Sequence, residues 1–428
     1  MSNRDYTKND YAWLELFNKY NILEEINRNS FFVITSKEIN EFREARLMTK
    51  FDQKTNLPKL FKEHKLSILP ISRGSYVIGK FDAYMDVIYD ERVEAEEFTL
   101  IHDFESLNIN NLYSEASALH AAYLGNLISN ILEEEAFPTI SGRMSTGEFS
   151  FYITSQGDKF SIDVKNSQCE IDGGFESKNK LLLVEAKNFE VDNFLIRQIY
   201  YPYRLWKSKV EKQVIPAFFT YSNDIFSFFI YEFEDVNNYN SLKLVKQKNF
   251  IYKQDPITLD DIYKLLIETP IKQEPKVPFP QANSFERVID LLGLLANETL
   301  NKEAITLNYS FDKRQTDYYV NAGKYLGLID TKREINEVIC FLTSEGEMIM
   351  KKDPRSKKLS IVNKIFEHEV FHKCMKLYFQ TLTPLKKEDV INIMNESYIY
   401  NVKKDTDTIK RRASTVMRWI DWILALAK

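Results

Sequence analysis

Cysteines and long apolar runs are scarce in this chain, and each shortage excludes a class of protein. The three cysteines, Cys169, Cys340 and Cys374, are scattered along 428 residues and odd in number. This pattern argues against a disulfide framework or a structural zinc site and fits a reducing compartment. The N-terminal stretch MSNRDYTKND is polar, with no apolar signal core behind it, and no apolar run approaches membrane-spanning length. We therefore expect a cytoplasmic protein without a membrane anchor.

A general surplus of positive charge is also absent, because the net charge is −5. The protein is therefore not a uniformly basic nucleic-acid coat protein. The charge is uneven, however: 24 Lys and Arg face 20 Asp and Glu from Gln281 onward, and 33 face 42 before it. The basic surplus lies in the C-terminal third, which permits nucleic-acid binding there.

The composition is otherwise that of a globular protein, with 44% hydrophobic and 28% charged residues. A chain of this length holds two or three domains. Prolines accumulate between Asp255 and Asn283, and a stretch such as KQEPKVPFPQ is typical of a semi-rigid linker. The predicted divisions are an N-terminal α+β domain with a DNA-recognition role (1–105), a catalytic-type α/β domain (106–250), a proline-rich linker (251–283), a domain with the element order of a winged helix (284–352) and a C-terminal helical, helix-turn-helix-like domain (353–428).

The pattern of residues 106–250 predicts a mixed sheet flanked by helices. A helix from Ser114 to Glu135 has Ser114 as its N-cap and an apolar face at helical spacing. Alternating segments that end at LLLVEAKN then predict three strands in a meander. The next segment, NFLIRQIYYPYRLWKSKV, predicts a helix that is broken or bent near Pro202, and two apolar strands follow it. The fold class is therefore α/β, of the mixed α+β kind.

One hairpin in this region, CEIDGGFESKNKLLLVEAKN, carries charged residues on apolar strands. Side chains alternate along a strand, so Glu185 and Lys187 point to one face. If Lys178 and Asn179 form a two-residue turn, Asp172 lies opposite Glu185, although a bulge at the glycines would shift that register. Charge buried in an apolar strand is costly unless something compensates it. We expect the compensation to be a divalent metal ion.

The spacing of these charges resembles a nuclease motif. Asp172, twelve residues and then Glu185-Ala186-Lys187 match the pattern of the PD-(D/E)xK nuclease superfamily, with Ile171 in place of the leading proline. The hairpin and the following LIRQIYYPYRLW, with ISRGSYVIGKFDAY upstream and TIKRRASTVMRWIDWI downstream, resemble a group of type II restriction endonucleases. The resemblance covers much of the chain in scattered blocks and implies a restriction-endonuclease-like core.

The resemblance also implies roles for the charged residues. Asp172 and Glu185 would coordinate Mg²⁺, helped by the Ala186 carbonyl, and Lys187 would orient or activate the attacking water. Three further side chains are supporting candidates, each with a structural alternative. Glu115 is either a metal ligand or an acidic residue in a first helical turn, Glu170 is either a ligand or a solvated neighbour, and Gln198 is a weaker support on the following helix.

The C-terminal third shows the pattern of a DNA-reading region. From SFERVIDLLGLL onward, a helix, a short helix, a longer helix from about Asp312 to Leu326 and a β-hairpin follow the order of a winged helix. In the last helix an apolar stripe from Ile409 to Ile423 leaves basic residues and Thr415 on the outward side. The candidate DNA-binding residues are Arg143, Arg314, Gln315, Lys324, Arg411, Arg412, Thr415 and Arg418.

A different metal motif competes with this interpretation. His368-Glu369-Val370-Phe371-His372 fits H-E-x-x-H on a predicted helix, where two histidines one turn apart bind zinc in some hydrolases. No histidine or glycine continues the extended form of the motif downstream. The alternative is a polar stripe on a helix, which we favour.

Taken with the resemblance, these patterns predict a Mg²⁺-dependent endonuclease that cleaves double-stranded DNA. The expected context is a restriction–modification system, with a homodimer as the cutting form and a cognate DNA methyltransferase as the genetic partner. Two alternatives stay open: a PD-(D/E)xK nuclease in repair or modification-dependent defence, and a non-catalytic winged-helix regulator that binds DNA.

Overall fold

The computed structural model describes residues 6–102, 104–110, 112, 114–308, 313–334, 337–404 and 406–427. The chain divides into two compact units. The first comprises the residues up to Ile101, Ala118–Tyr221 and Ile225–Ile251, and the second comprises His102–Ser117, Ser222–Asp224 and the chain from Tyr252 onward. Helices and strands alternate in the first unit around a mixed sheet, which confirms the predicted mixed α/β class.

The first unit begins with helices packed on a small antiparallel sheet. Its elements are α1 (Lys8–Tyr20), α2 (Ile22–Asn29), β1 (Phe31–Thr35), α3 (Ser36–Asn40), α4 (Ala45–Thr49), a 3₁₀ turn (Lys54–Asn56), α5 (Lys59–Glu63), β2 (Ser67–Pro70) and β3 (Ser75–Gly79). The sheet has the order β1-β3-β2. Helix α1 starts where it does because Thr7 and Asp10 cap each other's backbone N–H. Trp13, Phe61 and Ile78 belong to the core that joins the helices to the sheet.

A seven-stranded mixed sheet forms the centre of the first unit. The elements that follow β3 are β4 (Tyr84–Asp86), β5 (Ala95–Phe98), α6 (Glu115–Leu124), α7 (Leu127–Leu132), β6 (Phe137–Ser145), β7 (Glu148–Ser155), β8 (Asp158–Lys165), β9 (Gln168–Glu176), β10 (Lys180–Lys187), β11 (Asn193–Leu195), α8 (Arg197–Lys207), β12 (Gln213–Ser222), β13 (Ile225–Phe233) and β14 (Leu242–Tyr252). The strand order is β5-β14-β13-β12-β10-β9-β6, with β4–β11 and β7–β8 as separate pairs. Strands β10 and β12 are parallel, whereas β9 and β10 are antiparallel.

Three predictions for this region are wrong in detail. The helix from Ser114 is divided into α6 and α7, because Asn126 adopts a left-handed conformation and a Cβ at Gly125 would collide with the Phe98 ring. The segment predicted as a three-stranded meander holds five strands, because it bends at Gly147 and Asn166, both at positive φ, so that β6 pairs with β9 and β7 pairs with β8. Helix α8 continues unbroken through Pro202.

The predicted register of the central hairpin is confirmed. Leu181 pairs with Glu176 and Val184 pairs with Gly173, and Ser177 closes a two-residue turn by donating its N–H to the Lys180 carbonyl. The carboxylate of Glu134 accepts hydrogen bonds from the Ser177 hydroxyl and from the backbone and side chain of Asn179, which holds the turn. The strand pairing predicted from the Lys178-Asn179 turn is therefore the pairing in the structure.

The second unit contains the C-terminal helices and a three-stranded sheet. Its elements are α9 (Leu259–Glu268), α10 (Phe285–Asn297), β15 (Leu300–Asn301), α11 (Lys302–Asn308), α12 (Lys313–Tyr325), β16 (Ile329–Glu334), β17 (Glu337–Leu342), α13 (Ser344–Met350), α14 (Pro354–Phe366), α15 (Glu369–Thr381), α16 (Lys387–Glu396) and α17 (Asp407–Ala425). The order of helix, short helix, longer helix and hairpin is the predicted one, although Asp312, the expected start of the longer helix, lies outside the described residues.

The predicted linker is not wholly extended. Helix α9 occupies Leu259–Glu268, begins at a capping box between Thr258 and Asp261, and buries Ile262 and Leu266. The high proline content of this segment did not predict the helix, because the prolines lie on either side of it.

The last helix, α17, has the predicted apolar stripe. Ile409, Ala413, Val416, Ile420 and Ile423 are all buried. No helix in the described part of the chain has the length and apolar character needed to cross a membrane.

A first prediction concerns the close packing of Gly174 in β9. A Cβ at this position would lie 2.7 Å from the Cβ of Ile140 on β6, so a Gly174→Ala substitution forces the two strands apart. We expect a loss of about 1–3 kcal/mol in the free energy of unfolding, measured by urea denaturation. Glu170→Ala, an exposed position on the same strand, is the control. Equal stability of Gly174→Ala and the wild type would contradict the packing argument.

Candidate functional site

The end of the hairpin positions the three residues of the predicted nuclease motif. Asp172 follows Ile171 just before the Gly-Gly pair, and its Oδ2 accepts a hydrogen bond of 2.7 Å from the backbone N–H of Ala186. The Asp172 carboxylate thus accepts a backbone N–H of β10, at the residue directly after Glu185, that a backbone carbonyl of a neighbouring strand would otherwise accept. Gly173 and Gly174 allow the close packing of β9 in the next two positions, since Cβ atoms there would meet Phe175 and Ile140. Asp172 and Glu185 therefore come together as the register predicts.

Glu185 is a buried carboxylate, with 8% of the residue exposed. Its Oε1 accepts hydrogen bonds from Lys187 Nζ, at 2.6 Å, and from the side-chain amide of Gln198 on α8. The pKa of Glu185 is raised to about 8, mainly by burial; Lys187 opposes this shift, whereas the neighbouring carboxylates Asp172 and Asp52 contribute to it. The site is thus short of positive charge.

The Lys187 ammonium lies between the Glu185 carboxylate and the Ala186 carbonyl, two groups that the resemblance assigns to a metal ion. Nζ lies 2.6 Å from Glu185 Oε1 and 2.8 Å from the carbonyl oxygen of Ala186. Among the described residues, no hydrogen bond reaches Asp172 Oδ1 or Glu185 Oε2. Two carboxylates with open oxygens suit Mg²⁺, which keeps several waters and needs only one or two protein carboxylates. No group of three or more Asp, Glu, His or Cys side chains within the described ranges could bind one ion.

Asp52 is a residue near this site that the sequence patterns did not reveal. The segment that contains it is bound to β11, because Leu195 donates its N–H to the Asp52 carbonyl and Asn193 accepts the N–H of Lys54. The Asp52 charge raises the pKa of Glu185, so it adds negative charge to the site. No spacing rule links Asp52 to a hairpin so distant in sequence.

Arg197, the first residue of α8, was also missed. It precedes Gln198, and its guanidinium lies 5.7 Å from the centre of the Tyr201 ring. Its Nε is buried and makes no hydrogen bond with the described residues. A basic residue before Gln198 is visible in the sequence, but its burial depends on how α8 packs.

The supporting carboxylates are less integrated into the site. Glu170 is exposed and forms an ion pair of 3.2 Å with Arg143, its cross-strand partner on β6. This pairing favours the interpretation of Glu170 as a solvated neighbour, and it occupies Arg143. Glu115 is the first residue of α6, with Ser114 as the cap that accepts the N–H of Ser117. Its role as a metal ligand stays a prediction.

Candidate DNA-binding residues in the second unit differ in availability. On α12, Arg314 is exposed and donates to the Tyr318 hydroxyl, and Gln315 is half-buried. Lys324 is held internally by Asp330, at 3.3 Å, and by the Thr331 hydroxyl, at 2.8 Å. Lys324 is therefore engaged within the second unit.

On α17, Arg411 and Arg418 are exposed and Arg412 is half-buried. The predicted outward position of Thr415 is wrong: it is buried, and its hydroxyl donates to the side chain of Asn283. A short polar side chain next to an apolar stripe is readily buried once a partner is present.

The H-E-x-x-H motif lacks the geometry that the zinc interpretation needs. His368 has extended backbone angles at the N-cap of α15, so it does not lie on the helix one turn before His372. Its ring stacks on Tyr325 at 4.0 Å, while Nδ1 of His372 lies 3.2 Å from the Phe366 carbonyl oxygen. Glu369 pairs with Lys373 at 2.6 Å. The structure therefore gives the competing zinc interpretation no support.

Comparisons with known protein families cover most of the chain. Residues 10–78 match a model described as a domain of unknown function (DUF6996), residues 79–251 match another (DUF6997), and residues 287–428 match a third (DUF7226). The descriptions assign no activity to any of the three. No curated protein and no solved structure matches the chain.

A second prediction follows from the raised pKa of Glu185. The pKa of Glu185 is ~4.3 in the unfolded chain and about 8 in the folded protein. Between these two pH values the folded protein binds a proton that the unfolded chain has released. The free energy of unfolding should therefore fall as pH rises through this window, by up to about 1.4 kcal/mol per pH unit. Glu185→Gln should remove that part of the decline. Urea denaturation of both proteins in chelator at several pH values measures the difference, and a pH-independent difference would contradict it.

Proposed function

We propose that this protein is a Mg²⁺-dependent endonuclease that hydrolyses phosphodiester bonds of double-stranded DNA, as the restriction component of a restriction–modification system. The observation that carries the proposal is the convergence of Asp172, Glu185 and Lys187 at the end of one hairpin, with Glu185 buried. A buried carboxylate beside another carboxylate, each with an open oxygen, suits a divalent cation. The resemblance to PD-(D/E)xK nucleases supplies the reaction.

In this proposal the carboxylates hold the ion and the lysine acts on water. Asp172 Oδ1, Glu185 Oε2 and the Ala186 carbonyl are the oxygens that would hold Mg²⁺. When bound, the ion polarises the phosphate and lowers the pKa of a bound water. With an ion bound, Lys187 Nζ would no longer be needed to compensate the Glu185 carboxylate and to donate to the Ala186 carbonyl. Lys187 Nζ would then be released to orient the attacking water and to offset charge on the phosphate oxygens.

The polar shell around Glu185 supports this arrangement. Gln198 donates to Glu185 Oε1 from α8, which fixes the carboxylate and would leave Oε2 to hold the ion. Arg197 lies one residue earlier and has an unpartnered Nε among the described residues, so its positive charge is suited to a phosphate group. Asp52 would increase the attraction of a cation without serving as a ligand.

The second unit is the proposed DNA-recognition region, with a winged-helix arrangement of α10, α11, α12 and the hairpin β16–β17. In such domains the third helix commonly enters the major groove. Arg314 and Gln315 near the start of α12 are then the base-reading candidates, because Lys324 and Thr415 are engaged inside the fold. A homodimer would cut both strands of a symmetric site. A methyltransferase partner would protect the host DNA.

A third prediction tests the catalytic residues. Asp172→Asn and Lys187→Met should each lower Mg²⁺-dependent plasmid cleavage by on the order of 10²–10⁴-fold, because one removes a ligand charge and the other removes the group that orients water. DNA binding, measured by fluorescence anisotropy in chelator, should be retained. Glu170→Gln, an exposed neighbour of the motif, is the matched control and should cut normally. Wild-type cleavage by Asp172→Asn would refute the site.

A fourth prediction tests the metal site without relying on cleavage. An ion at ten times its Kd stabilises the folded state by about 1.4 kcal/mol, so MgCl₂ or MnCl₂ should raise the Tm of the wild type. Asp172→Asn should lose this shift, whereas Glu170→Gln should keep it. An identical metal-dependent shift in Asp172→Asn would place the ion elsewhere. A wild-type protein with neither shift nor cleavage would favour the non-catalytic DNA-binding regulator.

Digestion of methylated and unmethylated plasmid separates the two nuclease alternatives. Discrete fragments from unmethylated DNA alone would support restriction. Cleavage that depends on modification, or that yields no discrete fragments, would support a repair or defence nuclease instead.

A further inference from the structure

Arg412 on α17 is half-buried, and its guanidinium has no counter-ion among the residues that the structure describes. Its Nε and Nη1 are buried and make no hydrogen bond with the described residues. The helix around it is firmly seated, since Thr415 donates to Asn283 and the Trp419 indole donates to the Ala282 carbonyl. An enclosed cation without hydrogen-bond acceptors is costly. The protein therefore maintains an unsatisfied group of donors at a well-ordered position.

Among the described residues, the ionisable groups that act on Arg412 are Tyr318 and Arg411, and neither is a carboxylate. Burial lowers the pKa of Arg412 to about 10, with Tyr318 opposing the shift and Arg411 adding to it. Other basic residues of this unit are treated differently: Lys364 pairs with Glu345 and Glu367, and Lys410, two residues away on α17, pairs with Asp407 at 3.3 Å. Arg412 therefore differs from these two lysines in having no carboxylate partner among the described residues.

Tyr318 connects Arg412 to a second arginine, on α12. Arg314 Nε donates to the Tyr318 hydroxyl at 2.6 Å, and the Arg314 guanidinium lies 5.6 Å from the centre of the tyrosine ring. The hydroxyl accepts this bond and retains its own proton as a donor. Arg314 on α12 therefore contacts the phenol that acts electrostatically on Arg412, and Arg411, next to Arg412 on α17, is exposed.

We propose that Arg412, together with Arg314 and the Tyr318 hydroxyl, binds a phosphate group of the DNA backbone. A guanidinium presents a planar pair of N–H donors that matches two phosphate oxygens, and the tyrosine proton suits a third. The assignment to DNA rests on the proposed function, because α12 is the helix proposed to enter the groove. Free inorganic phosphate has the same chemistry and is the other source.

The fifth prediction uses the full chain carrying Asp172→Asn, in chelator, so that neither cleavage nor metal enters the readout. Inorganic phosphate should raise the Tm of this protein, and Arg412→Met should abolish the phosphate-dependent shift. In phosphate-free buffer Arg412→Met should itself raise the Tm, because it removes an uncompensated buried charge. Lys410→Met, which removes a cation that already has a carboxylate partner on the same helix, should leave the phosphate shift unchanged.

Binding of a short fluorescent duplex at several salt concentrations identifies the source of the phosphate. Arg412→Met should weaken binding by on the order of tenfold and reduce the slope of log Kd against log salt by about 0.9. Arg412→Lys keeps the charge without the planar donor pair, so its affinity for the duplex should lie between those of the wild type and Arg412→Met. If phosphate stabilises the protein but the salt slope is unchanged, the ligand is free phosphate and the DNA assignment is overturned.

Absence of a phosphate shift together with unchanged duplex binding in Arg412→Met would overturn the site altogether. These outcomes are independent of the nuclease proposal. A nuclease with no phosphate site here would still lose cleavage on Asp172→Asn, and a non-catalytic DNA-binding protein would still show the Arg412 effects.

Discussion

The buried carboxylate of Glu185 is the constraint to which its surroundings respond. It lies at the end of β10, a strand buried along most of its length, where an isolated negative charge is strongly disfavoured. Lys187 and Gln198 both donate to the same oxygen of this carboxylate, from the strand itself and from α8. Even so, burial and two nearby carboxylates keep its pKa about 8. The hairpin therefore holds a charge that its own side chains only partly compensate.

The two proposed sites have one property in common: each contains a charged group that the surrounding side chains compensate only in part. At Glu185 the protein provides acceptors without enough positive charge, and at Arg412 it provides donors without an anion. A fold maintains such groups at an energetic cost unless a ligand completes them. A divalent ion and a phosphate group are the complementary ligands, and a metal-dependent nuclease uses both. Both sites therefore agree with the proposed nuclease function: the first would bind a cation and the second would bind an anion.

Local patterns predicted the elements whose geometry depends on neighbours in sequence. The hairpin register followed from the Lys178-Asn179 turn, because a turn sets the pairing of the strands that it joins. The apolar stripe of α17 followed from helical periodicity, and all five of its residues are buried. The predicted helix from Ser114 to Glu135 divided where Phe98 packs against Gly125, a contact that periodicity does not report.

The sequence by itself determined the hairpin, its paired carboxylates and the mixed character of the fold, because these depend on side-chain alternation and turn chemistry over short distances. The tertiary structure alone decided which charges are enclosed. It brought Asp52 near Glu185, buried Thr415 against Asn283, and left the Arg412 guanidinium without an anion in the described part of the chain. Burial and partner choice are set by segments far apart in the chain, and they decide whether a charged residue is solvated, paired or available for a ligand.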